Sequence, residues 1–137
     1  MLEVEGINYF AVAAAWLVNV VVGTYWYSPA GFGKQWARLS GVNHMKIPEQ
    51  EATKIIGYVA LSAVFQALTL AVILNSLGVA QLTDGLMVGL VLWLGLTAAT
   101  TVGVTLYQRL GWKFWWINSS YFFVVMTINS AVLTLWR

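Results

Sequence analysis

The sequence predicts an all-α fold: a polytopic membrane four-helix bundle with a short interfacial helix after the first span. Three observations carry it. Of 137 residues, 60% are hydrophobic and only 9% are charged, whereas soluble domains carry about 25% charged residues. Four stretches, about 8–27, 54–76, 85–108 and 113–135, are long and apolar enough to cross a hydrocarbon core as helices. Two aromatic clusters, Tyr25-Trp26-Tyr27 and Trp112 with Trp115 and Trp116, stand beside basic residues, as Trp and Tyr do at the boundary between lipid and water. The spans and their short connections use most of the chain, which therefore reads as one integral membrane domain, residues 1–137, resident in the lipid bilayer.

Residues 1–7 carry two acids and no base, the reverse of a signal peptide's basic start, so the first span is expected to be retained. On it Ala11, Ala15, Asn19 and Gly23 fall four apart, a small and polar stripe that lets another helix approach closely. Ser28 before Pro29 reads as a helix stop followed by a restart, Ser as N-cap and Pro at the first helical position. Phe32, Trp36 and Leu39 against Lys34, Gln35 and Arg38 then give a short amphipathic helix lying in the interface, ended by Gly41. Pro48, Glu49 and Glu51 read as the first turn of the next helix, acids at its positive end.

The second span places Gln66 near mid-bilayer, on one face with Tyr58, Ser62 and Thr69. After a turn around Gly78, Thr83 or Asp84 is expected to cap the third helix. Along that helix Gly85, Gly89, Gly95, Ala99 and Gly103 are expected to form one packing seam. Lys34, Arg38, Lys46 and Lys54 lie between the first two spans, and Arg109 and Lys113 between the last two, against Arg137 alone at the other end. By the positive-inside rule both basic loops face the cytoplasm of a cell membrane and both termini lie outside.

The same composition excludes several function classes. With no cysteine there is neither disulfide nor thiolate chemistry, and a net charge of +2 is too small to suggest nucleic acid. No acid or base lies in the interior of a span, Lys54 and Lys113 standing at the ends of theirs, which argues against an ion-coupled pump and leaves an enzyme short of parts. His44, the only histidine, reads as a loop residue with neither a metal nor a general-base role, and no cofactor is expected. Lys34 and Arg38, one turn apart, are placed to grip an anionic lipid headgroup, although topology alone also accounts for them.

The amides are the polar groups to question, because hydrocarbon offers them no partner. Asn8 and Asn19, like Asn118 and Asn129, are eleven apart, about three helical turns, so each pair lies on one face. The first and last spans are expected to be neighbours, with these amides bonding across the seam or lining a polar cleft, and Gln66 facing the same interior. The plainer reading is helix–helix glue.

The run Gly23-x-x-Trp26-Tyr27-Ser28-Pro29-x-x-Phe32-Gly33-Lys34-x-Trp36, followed by Gly41, resembles the opening signature of the small bacterial and archaeal membrane proteins grouped as domain of unknown function 1761. Ile117-Asn118-x-x-Tyr121, with Asn129 and Trp136, is similar to that family's closing signature. The resemblance implies a four-helix membrane protein and carries over no activity, cofactor or catalytic residue. It singles out Trp26, Tyr27, Lys34, Trp36, Asn118, Tyr121 and Asn129. The function expected is therefore non-catalytic: binding or passing a small uncharged or lipophilic ligand, as a homo-oligomer because four spans enclose little space. The alternative is a structural or accessory subunit that docks a partner through its glycine-rich face.

Overall fold

In the computed structural model, which describes residues 1–137, Asn8 opens the first helix, α1 (Tyr9–Trp26). Its side-chain oxygen accepts from the amides of Phe10 and Ala11 at 3.0 and 3.3 Å, satisfying two of the donors that a helix start leaves bare. Helix α2 (Gly33–Ser40) follows, then a 3-10 turn (His44–Lys46), α3 (Glu49–Ser76), α4 (Leu82–Tyr107) and α5 (Gly111–Leu135). The fold is all-α, and α1, α3, α4 and α5 are each long and apolar enough to span a membrane.

Two local expectations are corrected. Ser28-Pro29 does not restart a helix: the chain turns through residues 28–32 and α2 begins at Gly33, after Phe32. The turn folds back so tightly that a Cβ on Gly31 would overlap the Tyr25 carbonyl and one on Gly33 that of Tyr27, which is why two glycines stand there. Helix α3 starts at Glu49, after Pro48, with Glu49 and Glu51 in its first turn as the sequence predicts. Helix α4 starts after Gln81, so Thr83 and Asp84 lie inside its first turn and do not cap it.

Helix α5 is the hub, packed along α1 and α4 and touching α2 and α3, while α3 leans on α1. The shared core is built largely from small side chains: Ala11 and Ala15 of α1 and Ala67 and Ala71 of α3, filled by Leu70, Leu74, Met126 and Leu133. Close approach over alanine is how helices associate in lipid, where apolar burial gives no driving force between them. Helices α3 and α4 scarcely meet. At one end of the bundle Asn75 donates to the carbonyls of Glu3 and Glu5, the Glu3 amide donates to Ser76, and Asn8 reaches the Trp136 carbonyl. Both termini thus gather at the end opposite α2 and the basic turns.

The glycine seam is not continuous. Gly85 and Gly89 are buried, with Thr134 and Ser130 of α5 pressed against them, whereas Gly95, Ala99 and Gly103 are exposed and both later glycines face open space. Gly95 lies inside a π turn, Trp93–Ala98, and Ala99 and Gly103 lie beyond it. One extra residue in the ladder turns everything beyond it by about 100°, so Ala98 and Thr105 take the buried face instead.

Candidate functional site

The two ends of the family-like signatures meet. The stripe Ala11, Ala15 and Asn19 is buried, Gly23 abuts the Tyr121 ring, and α1 faces α5 as its spacing predicts. The side-chain bonds across this seam come from Tyr27, Tyr121 and Trp26, with Asn8 reaching the Trp136 carbonyl at the far end; no two amides bond to each other. Tyr27 donates to the Asn118 side-chain oxygen at 2.8 Å, and Tyr121 donates to the Asn19 carbonyl at 3.2 Å. Asn19 spends its own amide on the Ala15 carbonyl of the same helix. Trp26 donates its indole N–H to the Ile117 carbonyl at 2.9 Å.

Around these bonds the rings form a knot. Trp26 tilts against Phe32 and Tyr121, with centroids at 5.0 and 6.5 Å. Tyr27 meets Tyr121 and Trp36 edge-on at 5.5 and 6.2 Å, and Trp36 meets His44 at 4.7 Å and Phe114 at 5.7 Å. Edge contacts of this kind add about 0.5–1.5 kcal/mol each beyond burial. Burial raises the phenol of Tyr27, just past the end of α1, above its ordinary range, and neighbouring Tyr121 adds to this; Tyr27 therefore stays a donor to Asn118. Lys34 and Arg38 stand exposed on the outer face of α2.

His44 belongs to this knot, which sequence reasoning missed. Its Nε2 lies 2.8 Å from the Tyr27 carbonyl. A carbonyl only accepts, so Nε2 carries the proton, leaving Nδ1 buried without a partner. No group of three His, Cys, Asp or Glu side chains gathers to hold a metal.

Asn129 sits elsewhere. It is 0% exposed, and neither its side-chain oxygen nor its nitrogen has a partner. An amide left so in a dry core costs about 1–3 kcal/mol. Asn129→Leu is accordingly expected to raise resistance to unfolding in mixed micelles by about 1 kcal/mol; a loss of that size would mean that the amide has a partner in the membrane.

Gln66 does not share the interior of the asparagines. It lines a cleft of about 200 Å³ where α3 and α4 diverge, together with Thr69, Leu92, Leu96, Thr97 and Met126. Its only bond there is a weak one from Nε2 to the Met126 sulfur at 3.9 Å. Leu96 and Thr97 belong to the π turn. That turn is stitched to α5 at both ends: Trp93 donates to the Ser119 carbonyl at 2.7 Å, and Trp115 to the Ala98 carbonyl at 3.0 Å. A π turn disturbs the helical ladder, and at its end the Ala98 carbonyl accepts both from the Trp115 indole on α5 and from the Thr101 hydroxyl of its own helix. The signal available in the sequence was Trp93, an indole far from either aromatic belt.

Fold and geometry together define a multi-pass helical bundle of membrane type, closed by an aromatic knot at one end and open through a lateral cleft near its middle. The chain belongs to the family described as protein of unknown function (DUF1761), whose model matches residues 10–134. No curated protein and no solved structure matches the chain.

Proposed function

We infer that this is a non-catalytic membrane protein that binds a small uncharged or lipophilic molecule inside the bilayer. One observation carries the reading: the cleft between α3 and α4 has room for a small molecule, and its polar lining, Gln66, Thr69 and Thr97, is uncharged. An apolar cavity of about 150 Å³ already holds a benzene-sized guest. Native mass spectrometry of protein released from lipid nanodiscs tests it. A co-purifying neutral molecule that is lost when Leu96→Trp fills the cleft supports binding; release of phospholipid alone from both proteins removes the reading.

A second reading, docking of a partner or of further copies, draws on the outward face of Gly95, Ala99 and Gly103. The cysteine-free chain makes the contrast measurable. In a homo-oligomer joined there, Ala99→Cys cross-links to itself in membranes while Gly57→Cys, also exposed with open space around it, does not; equal yields at both positions dismiss the interface. The same approach reads orientation. With both termini outside and the α2 end in the cytoplasm, Asn43→Cys labels with an impermeant maleimide only after the membrane is opened, and labelling in intact cells inverts the topology. Lys34 and Arg38 are proposed to meet anionic headgroups on that cytoplasmic face.

A further inference from the structure

We propose that the α3–α4 cleft recognises a neutral lipid through its hydrogen-bonding head, an alcohol or ketone that sinks to the bilayer midplane, with its hydrocarbon body leaving sideways between the two helices. The inference rests on the binding reading above and names its ligand class.

Depth comes first. Gln66 is ten residues from the end of α3 and Thr97 ten from the end of α4, so each lies about 15 Å of helix from the nearer interface. A phospholipid head is held at that interface and does not reach the midplane. A molecule with a small uncharged head does, because its desolvation cost is that of a hydroxyl or carbonyl rather than of an ion.

The second observation is what the polar groups leave unused. Thr24, Thr100, Thr101 and Thr127 turn their hydroxyls onto carbonyls of their own helices, the ordinary solution in lipid. Thr69 and Thr97, which line the cleft, make no such bond, and Gln66 has only a sulfur partner. Donors and acceptors are thus offered side by side at a depth where water is scarce, a combination that rewards a ligand bringing one hydroxyl or carbonyl. The third is the π turn itself, which places Leu96 and Thr97 on the cleft wall and is anchored by Trp93 and Trp115, so the wall is preformed.

Access is from the membrane: α3 and α4 scarcely touch, and Thr69 and Leu96 are exposed on the outside of the bundle. Met126 at the cleft floor is unbranched and adapts to the body it meets.

The test uses the full chain in phosphatidylcholine nanodiscs, photolabelled with a diazirine-bearing long-chain alcohol, with sites mapped by mass spectrometry. Competitors of equal chain length are dodecanol, 2-dodecanone, dodecane and dodecanoate. The expected result is saturable labelling confined to Ile73, Leu92, Leu96 and Met126, with dodecanol and 2-dodecanone competing about tenfold better than dodecane, the effect of one hydrogen bond of 1.4 kcal/mol. Gln66→Leu and Thr97→Val shrink that ratio toward one. If dodecane competes as well as dodecanol against the wild-type protein, head recognition is overturned and the broader binding reading stands. Dodecanoate matching dodecanol overturns the requirement for neutrality. Labelling that is unsaturable and spread along every lipid-facing helix overturns both. The competition series uses the unaltered protein, so it decides even where a variant folds poorly.

Discussion

Gly89→Leu is expected to lower stability by about 3 kcal/mol, the upper part of the range for overpacking a tight site, whereas Gly95→Leu, six residues on, changes it by no more than about 0.5 kcal/mol, as for a surface substitution. The difference follows from what a side chain would meet. At Gly89 a Cβ overlaps the Ser130 hydroxyl, and behind it stand the Ser130 Cβ at 3.1 Å and the Met126 carbonyl at 3.2 Å. The hydroxyl can rotate, but the carbonyl belongs to the α5 backbone and cannot retreat. At Gly95 nothing lies within 4 Å. Reversible unfolding in mixed micelles measures both. Ser130→Gly combined with Gly89→Ala should recover much of the loss caused by Gly89→Ala alone, because the clash is local to the pair. Equal costs at Gly89 and Gly95 would mean that the seam runs unbroken through the π turn and that both glycines pack against a helix.

Which parts of this could be read from residue order has a physical basis. Spans are legible because lipid forbids an unpaired backbone, so each crossing must be one apolar helix of bilayer length; α1, α4 and α5 begin and end within a few residues of that expectation. The α1–α5 seam is legible too, since periodicity places Ala11, Ala15, Asn19 and Gly23 on one stripe, whereas the eleven-residue spacing of Asn118 and Asn129 does not bring Asn129 to a partner. The partners chosen along the seam were not. An amide in lipid takes whichever donor or acceptor the crossing geometry delivers, and here tyrosine hydroxyls arrive first. The π turn left no mark in composition, because one inserted residue changes phase without changing hydrophobicity, and a seam counted at constant period failed beyond Gly89. The cleft around Gln66 depends on α3 and α4 diverging, and no local pattern encodes that angle. His44 looked solvated because its bond to Tyr27 forms only after α2 has folded back across 17 residues.

The aromatic knot is where the family signature and the structure coincide most closely, and Trp36→Ala tests what it holds. Trp36 is the ring shared by Tyr27, His44 and Phe114, so this one side chain of α2 touches α1's end, the 3-10 turn and α5. Truncating a buried tryptophan costs about 3–5 kcal/mol; Trp36 is half-buried, so about 2–3 kcal/mol is expected, and it should be lost locally. Helix α2 is short and its amphipathic face has no other large ring to dock with, since Phe32 before it packs on Trp26, and an isolated eight-residue helix is unstable in water. Hydrogen exchange in nanodiscs should therefore show residues 33–46 losing protection by two orders of magnitude or so, about 2.7 kcal/mol at 1.36 kcal/mol per decade, while α3 and α4 keep theirs. Tyr27→Phe separates packing from hydrogen bonding at the same place. It keeps the ring against Trp36 but removes the donor to Asn118, and is expected to cost only about 0.6–1.7 kcal/mol, the span measured for such bonds between membrane helices. Uniform loss of protection across all four spans in Trp36→Ala would show that the knot closes the whole bundle and does not merely hold α2 to it.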